Sequence, residues 1–261
     1  MGILNVTPDS FSDGGKYFDV EQAVSRGMQL ARDGADILDV GGESTRPGSD
    51  PVPEEEEIRR VVPVIKRLSR DLDLPISVDT YKSGVAKEAL AAGACIVNDI
   101  SGLTYDASMV QVVRSHDATI VLMHVLGTPK TMQSNPQYHD VVREVFAFLK
   151  RQSAVASAYG VGQIIVDPGL GFGKELHHNL ELMKQLQKFC ELGFPVLVGP
   201  SRKSFIGKLL DLPVDQRIEG TAAAVTACIL RGAHIVRVHD VKDMKRVAVV
   251  ADALKRTEMS A

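Results

Sequence analysis

Short apolar runs, each followed by a polar or charged residue, alternate along this chain with segments of helical character. The runs are Ile3-Leu4, Ile37-Leu38, Ile76-Ser77-Val78, Ile96-Val97, Ile120 to Met123, Ile164 to Val166, Pro195 to Val198 and Ile235-Val236. A buried parallel strand is a continuous apolar stretch because both of its faces are covered. Eight such runs alternating with helices therefore predict an α/β protein, a (β/α)8 or TIM barrel, whose active site lies at the carboxyl ends of the strands.

The residues that follow these runs fall where such a barrel carries out chemistry. They are Asn5, Asp39, Asp79, Asn98, His124, Asp167, the turn Gly199-Pro200-Ser201, and Arg237 with His239. Helices are predicted at 19–34, 54–71, 82–92, 106–115, 137–159, 175–191, 202–211 with 215–231, and 240–256.

The composition fits one barrel domain over residues 1–261, since such barrels have about 250 residues. A net charge of −3 gives no reason to expect nucleic acid or an anionic membrane surface as partner. No apolar run approaches the roughly 18 residues of a membrane span, and the chain opens in a predicted strand rather than a signal peptide. Cys95, Cys190 and Cys228 form no CxxC pair, so we expect a reducing, cytoplasmic compartment.

Two long loops leave the first and second predicted strands. The first, Thr7 to about Phe18, offers carboxylates and hydroxyls beside the amide of Asn5. Such oxygen ligands suit Mg²⁺, which binds few protein groups and keeps waters or phosphate oxygens. The second, Gly41 to Pro53, carries Arg46, which could clamp a phosphate or a carboxylate. An ordinary turn-rich loop is the alternative in both cases.

The segment Asp167-Pro168-Gly169-Leu170-Gly171-Phe172-Gly173-Lys174 resembles a phosphate cradle but is no nucleotide P-loop. A P-loop has four residues between its glycine and its Gly-Lys pair, followed by Ser or Thr, and here Glu175 follows the lysine. Asp167 ends a buried strand, where a carboxylate could accept two parallel N–H bonds from a heterocycle edge. Capping a helix is its alternative role.

The segment Gly199 to Ser204 follows the seventh strand and opens a helix, whose free N–H groups would attract an anion. Ser201 could serve only as the helix cap. Arg202 and Lys203 sit unfavourably with the helix dipole there, so at least one of them is expected to face a ligand.

Strand alternation places Arg237 and His239 on one face after the last strand. Barrels often bind phosphate after strands 7 and 8, so this pair predicts a phosphate site. The alternative is a structural role, in which the segment forms a salt bridge and Asp240 caps the next helix. From the residues alone, structural roles lining the barrel top are expected for His124, Met123 and Asn98. The absence of HExxH and of paired Cys/His sets excludes a structural zinc site.

Together and in this order, these motifs resemble those of the dihydropteroate synthases, a pterin-binding family with the TIM-barrel fold. The segments are Gly2 to Gly14, Gly41 to Gly48, Val78-Asp79-Thr80, Asn98 to Gly102, Asp167-Pro168-Gly169, Ser201 to Ser204 and Arg237 to Asp240. Each motif alone is weak, whereas the set at successive strand ends is specific. The resemblance covers Gly2 to about Asp243.

The resemblance implies a transferase of folate synthesis that joins (7,8-dihydropterin-6-yl)methyl diphosphate to p-aminobenzoate and releases diphosphate. It also implies Mg²⁺ as cofactor, sulfonamides as inhibitors and a homodimer. The implied mechanism is dissociative: diphosphate leaves first, and the aniline nitrogen then attacks. The rival functions are a methyltransferase domain that moves a methyl group from a folate to a corrinoid protein, and a pterin-binding paralogue without activity.

The family residues carry over to matching positions of this chain. The resemblance gives the pterin site as Asp79, Asn98, Met123, Asp167, Phe172 and Lys203. It gives the diphosphate site as Asn5, Thr45, Arg46, Arg237 and His239, with Asn5 also on Mg²⁺. It gives the p-aminobenzoate site as Phe11, Pro47, Lys203 and Ser204, and the catalytic residues as Asp79, Lys203, Arg237, His239, Asp13 and Phe11. It assigns no role to Asp39 or His124. Family members usually carry residues ahead of this first strand, and we expect that difference to affect stability more than the site.

Overall fold

Eight short parallel strands form the centre of the protein in a computed structural model that describes residues 1–7, 20–46 and 48–258. The strands are β1 Gly2–Asn5, β2 Leu38–Gly41, β3 Ile76–Asp79, β4 Ile96–Asp99, β5 Thr119–Met123, β6 Ile164–Asp167, β7 Leu197–Val198 and β8 Ile235–Val236. All eight predicted runs are thus strands. The second extends beyond Asp39 to Gly41, because Val40 is a further buried apolar residue.

The strands close into a barrel, as predicted. β1 to β6 pair in chain order, and β7 pairs with β8. Two seams join these sheets: Val166 N donates to Pro195 O at 3.0 Å, and Ile3 N donates to Val238 O at 3.0 Å. Parallel bridges at the same two places complete the ring.

Helices follow the strands in the alternation that the sequence predicts. They are α1 Val20–Arg32, α2 Glu54–Asp71, α3 Ser83–Ala91, α4 Met109–Ser115, α5 Val141–Ala158, α6 Leu176–Lys184, α7 Gln187–Cys190, α8 Ser204–Leu210, α9 Ile218–Leu230 and α10 Val241–Glu258, with a 3-10 turn at Val214–Gln216. The prediction of a single helix at 175–191 is wrong, because the helix is interrupted between α6 and α7. The break places Leu186 and Phe189 in the core, where both are fully buried.

Strand alternation divides the strand residues into two sets. Residues such as Leu38, Val78 and Val97 face outward and belong to the main hydrophobic core that the helices cover. A smaller apolar cluster forms the inward layer at the lower end of the barrel, from Met1, Ile96, Val121, Ile165 and Leu197. The next inward residues towards the carboxyl ends of the strands are mostly polar, with Met123 as an exception, and they form the candidate site.

A cavity of about 350 Å³ lies at the amino ends of the strands, lined in part by Met1, Ile37, Ile235 and Met244. TIM barrels carry out their chemistry at the opposite end. The buried ionisable side chains of the strands also lie at that opposite end, so we assign no site to this cavity. Within the described ranges, no helix is long and apolar enough to cross a membrane.

Candidate active site

Parallel pairing brings the predicted pterin residues together at the mouth of the barrel. Asp79 of β3 pairs in register with Asn98 of β4, and Met123 of β5 pairs with Asp167 of β6. All four are buried, with exposures of 3–6%. Buried polar side chains at strand ends are the arrangement from which a barrel builds a ligand site.

Arg237, just past β8, is the centre of this arrangement. Its Nε donates to Asp39 Oδ2 at 2.5 Å, and its Nη2 donates to Asp79 Oδ2 at 2.6 Å. Asn98 Nδ2 donates to the same Asp39 oxygen at 3.1 Å. Asp39, to which the sequence assigned no role, is therefore the fully buried counter-ion that connects the predicted diphosphate and pterin residues.

Two carboxylates share one guanidinium here, which affects the pKa values of Asp79 and Arg237. Burial, together with the like charge of Asp39, raises the pKa of Asp79 to about 7 despite the lowering by Arg237. Burial alone would lower the pKa of Arg237, but Asp39 and Asp79 hold it above its ordinary value. Among the described residues, Oδ1 of Asp39 and Oδ1 of Asp79 have no hydrogen-bond partner. The site thus contains two buried acceptors that a ligand can fill.

Asp167, Lys203 and Phe172 form the second part of the site. Asp167 Oδ1 accepts from Gly169 N at 2.7 Å, and burial raises the pKa of this carboxyl to about 6. Lys203 Nζ lies 3.9 Å from the centroid of the Phe172 ring, a cation–π contact. Burial and the nearby Arg237 lower the pKa of Lys203 to about 8. Alternating charges beside an aromatic face suit a flat, polar heterocycle.

His239 is a neutral group at this mouth. Its Nδ1 lies 3.0 Å from Ser201 Oγ, and its backbone N donates to the same hydroxyl at 3.2 Å. Burial, with Arg237 and Arg202 nearby, lowers the pKa of His239 to about 3. A neutral imidazole can bind an anion only as a hydrogen-bond donor. The alternative in which Ser201 caps the next helix is wrong, because α8 is preceded by Lys203 at the cap position.

The side chains of Arg202 and Lys203 point in different directions. Arg202 has a φ of 58°, and its guanidinium makes a two-point ion pair with Asp240, with Nε to Oδ2 at 2.9 Å. Lys203 faces Phe172 instead. We expected at least one of these two cations to face a ligand, and Lys203 is the one that lies at the site. The salt bridge considered as the alternative for Arg237 exists, with Asp39 and Asp79 as its partners, and Asp240 pairs with Arg202.

The remaining predicted residues lie further out or outside the described residues. Asn5 is partly buried at the end of β1, Thr45 is partly buried, and Arg46 and Ser204 are exposed. Met123 and Phe172 share a small buried apolar cluster with Ile100 and Met132. Phe11, Asp13 and Pro47 lie outside the described residues.

Glu43 is a residue whose part the sequence analysis missed. Its buried carboxylate accepts from Tyr81 Oη at 2.7 Å, from Lys82 Nζ at 2.6 Å and from Val52 N at 2.7 Å. One side chain therefore joins both ends of the loop that carries Arg46. The sequence does contain a signal for this role, because Glu43 directly follows a pair of glycines at the end of a strand.

Within the described ranges, no group of three or more His, Cys, Asp or Glu side chains could hold a metal ion. Mg²⁺ needs no such group, because it is often bound by one or two protein oxygens together with substrate phosphates and water. The amide of Asn5, at the mouth beside the strand that leads to Arg237, fits this second kind of site.

Comparisons with known proteins agree with this geometry. Residues 1–239 match the model of the pterin binding enzyme family. The chain is 49% identical over 259 residues to the dihydropteroate synthase of Synechocystis sp., covering 98% of this chain and 90% of the relative. It is 50% identical over 256 residues to that of Bacillus subtilis, covering 97% and 87%.

Solved structures show the same fold. The dihydropteroate synthase of Yersinia pestis in a sulfonamide drug complex has a TM-score of 0.92 and 40% identity, covering 98% of this chain and 93% of that one. The enzyme of Xanthomonas albilineans with 4-aminobenzoic acid has a TM-score of 0.91 and 46% identity, covering 97% and 92%. With such identity over nearly its whole length, and with the buried polar row at the barrel mouth, the chain belongs to the dihydropteroate synthases.

Proposed function

We propose that the chain condenses (7,8-dihydropterin-6-yl)methyl diphosphate with p-aminobenzoate, giving 7,8-dihydropteroate and diphosphate for folate synthesis. The observation that carries this proposal is the row of buried Asp79, Asn98 and Asp167 beside the half-buried Lys203, in a chain of this family. The Xanthomonas albilineans enzyme has been solved with 7,8-dihydropteroate. Near-full-length matches to synthases favour this function over the corrinoid-linked methyltransferase and over an inactive paralogue.

The pterin would be recognised through complementary hydrogen bonds. The edge of a pterin carries N–H donors, which suit the second oxygen of Asp167 and the unfilled Oδ1 of Asp79. Its carbonyl and ring-nitrogen acceptors suit the ammonium of Lys203 and the amide of Asn98. Met123 and Phe172 supply the apolar walls.

The proposed reaction breaks the bond between the exocyclic methylene and the diphosphate oxygen first. The electron pair leaves with the diphosphate, and the pterin ring delocalises the positive charge. The carboxylate of Asp79 would stabilise that cation electrostatically. The aniline nitrogen of p-aminobenzoate then forms the new C–N bond and loses a proton to water. No nucleophilic side chain takes part.

Arg237 and His239 would hold the departing diphosphate. Among the described residues Nη1 of Arg237 has no hydrogen-bond partner, so it can bind an anion while Nε and Nη2 keep Asp39 and Asp79. His239 would donate from a neutral ring. Asn5 would hold Mg²⁺ together with diphosphate oxygens, and the ion, when bound, would neutralise part of the leaving group's charge.

The two loops complete the proposed site. Thr45 and Arg46 would close over the diphosphate, together with Phe11 and Asp13 of the first loop, and exclude the water that would trap the cation. Phe11, Pro47, Lys203 and Ser204 would border p-aminobenzoate. A cytoplasmic location is part of the same proposal, supported by three cysteines that form no disulfide.

A homodimer is also part of the proposal. Large apolar side chains are exposed on α8, on the 3-10 turn that follows it and on α10, and a second copy could cover them. They are Leu209 and Leu210 of α8, Val214 of the 3-10 turn, and Val249, Val250 and Leu254 of α10.

The function is tested by mixing the protein with Mg²⁺, the pterin diphosphate and p-aminobenzoate. We expect dihydropteroate and diphosphate to form in equal amounts. Sulfonamides, which mimic p-aminobenzoate, should compete with it in the same assay. The proposal is refuted if neither product forms while a relative such as the Bacillus subtilis enzyme is active under the same conditions.

Removing either charged pterin ligand should greatly weaken pterin binding. Asp167→Ala and Lys203→Ala each delete a hydrogen bond to a charged group, which contributes about 1.5–3 kcal/mol or more when its partner stays buried. We therefore expect the dissociation constant for the pterin diphosphate, measured by calorimetry, to rise by at least about tenfold. Lys208→Ala, at an exposed position of α8, is the matched control. Unchanged affinity in both site variants contradicts the assignment.

Pterin binding should be strongest between about pH 7 and pH 8. The pKa values of Asp167 and Asp79 are raised to about 6 and about 7. Both carboxylates therefore become protonated and lose their charge as the pH falls below these values. The pKa of Lys203 is lowered to about 8, so the ammonium loses its proton as the pH rises above that value. Calorimetry from pH 5 to pH 9 should give a bell-shaped profile. A flat profile contradicts these roles.

Charging the apolar face of α10 should separate the dimer. Val249 and Val250 are each 61% exposed, so Val249→Glu and Val250→Glu together would leave the monomer folded but place charges in the interface. Light scattering should then give a monomer in place of a dimer. Val155→Glu on α5, 37% exposed, should leave the dimer intact. A monomeric unsubstituted protein refutes the proposal.

A further inference from the structure

Lys174, at the end of the glycine-rich segment after β6, is a buried cation that the proposed reaction does not use. Its side chain is 2% exposed. In the part of the chain that the structure describes, no carboxylate lies within ion-pair distance of its ammonium. Burial lowers the pKa of its amine to about 7. A buried ammonium without a counter-ion is costly unless hydrogen bonds compensate, so its contacts indicate its role.

Those contacts connect two elements of the site. Lys174 Nζ lies 3.0 Å from His124 Nδ1, and it donates to His124 O at 3.2 Å and to Phe172 O at 2.9 Å. An ammonium has three donors, and all three are used. Burial and the charge of Lys174 lower the pKa of His124 to about 2, so its ring is neutral and Nδ1 accepts. The residue that follows β5 is thereby tied to the segment that follows β6.

That segment, residues 168–174, is called the β6 loop below, and its backbone lies directly against the exit of β5. Gly169 has a φ of 71°, and a Cβ at this position would be 2.0 Å from His124 O. Gly173 has a φ of 60°, and a Cβ there would be 2.5 Å from Leu126 O. Only glycine permits this approach. The ammonium of Lys174 bonds the same His124 carbonyl that Gly169 touches.

The β6 loop in turn contacts both charged pterin residues. Gly169 N donates to Asp167 Oδ1, and the Phe172 ring lies against Lys203 Nζ. A Cβ on Gly171 would be 2.9 Å from Lys203 Cδ, so the loop backbone also touches the lysine stem. A shift of the loop would therefore move the partners of Asp167 and Lys203 together.

We propose that Lys174 is a positioning residue for the pterin site: it holds the β6 loop against the end of β5 and so sets Phe172 against Lys203. This inference rests on the proposed function, because the groups that it positions are the pterin ligands. His124, for which we expected only a structural role, is the other half of the contact.

Other hydrogen bonds also hold the β6 loop, so its conformation does not depend on Lys174 alone. Gln133 Nε2 donates to Gly171 O at 2.8 Å, and Tyr138 Oη donates to Gly173 O at 2.7 Å. Asn179 Oδ1 accepts from Gly171 N at 2.6 Å. We therefore expect a protein without the ammonium to fold, with a β6 loop that is less closely held.

The test replaces Lys174 by Met, which keeps the length of the side chain and removes its donors. We expect the dissociation constant for the pterin diphosphate to rise by at least about tenfold. In the ligand-free protein, amide hydrogen exchange over residues 168–173 should become faster. Lys184→Met makes the same change at an exposed position of α6 and should alter neither quantity. Lys174→Gln, which keeps two donors, should recover part of the affinity, and it replaces Lys174→Met should that variant not fold.

A second arm separates positioning from general stability. If Lys174 acts through Phe172, then Lys174→Met in a Phe172→Ala background should change the affinity by less than about twofold. An undiminished loss in that background overturns the proposal, as do unaltered affinity and exchange in Lys174→Met. Failure of the unsubstituted protein to bind the pterin diphosphate would count against the proposed function. In that case the hydrogen exchange of the β6 loop would test the role of Lys174 separately. Unchanged exchange in Lys174→Met would overturn the inference.

Discussion

A single guanidinium between two buried carboxylates organises the mouth of this barrel. Arg237 reaches Asp39 and Asp79 only because β8 closes against β1, 198 residues after Asp39 in the chain. Three carboxylates and two cations lie around this point: Asp39, Asp79, Asp167, Lys203 and Arg237. A buried charge without a counterpart is unfavourable, so the near balance is a condition for closing the barrel at all. The proposed diphosphate would add negative charge there, which is one reason to propose Mg²⁺ beside it.

The site also contains groups that the free protein leaves unsatisfied. One oxygen each of Asp39 and Asp79 is buried without a hydrogen-bond partner among the described residues, at a cost of about 1–3 kcal/mol each. Arg202 adds a non-glycine residue at positive φ, held there by its ion pair with Asp240. Such features weaken a fold unless they serve another purpose. Here they supply acceptors that a ligand can fill and turn Lys203 towards the pocket.

The sequence predicted the fold and the row of polar residues at the barrel mouth because both follow from local pattern, whereas the roles proposed for those residues come from the family resemblance. An apolar run that ends in a polar residue marks the end of a strand. The alternation of side chains along a strand then puts Asp79, Asn98 and Asp167 on the inner face. The pattern contains no information on which inward cation meets which inward acid, so the partner of Asp39 could not be predicted. The separate directions of Arg202 and Lys203 depend on one backbone angle. Lys174 was considered only as the lysine of a rejected P-loop, since its partner His124 lies 50 residues earlier.

Closure of the barrel between its first and last strands has a consequence for the order of folding. During synthesis, Asp39 and Asp79 emerge well before the guanidinium that balances them, which lies 158 residues after Asp79. A partly made chain that packed its first strands would hold two acids in an apolar interior with no counter-ion, and that state is unfavourable. Long-range contacts of this kind also form slowly. The first strands should therefore stay loosely packed until β8 is available, so the same contact that prepares the site also delays its assembly.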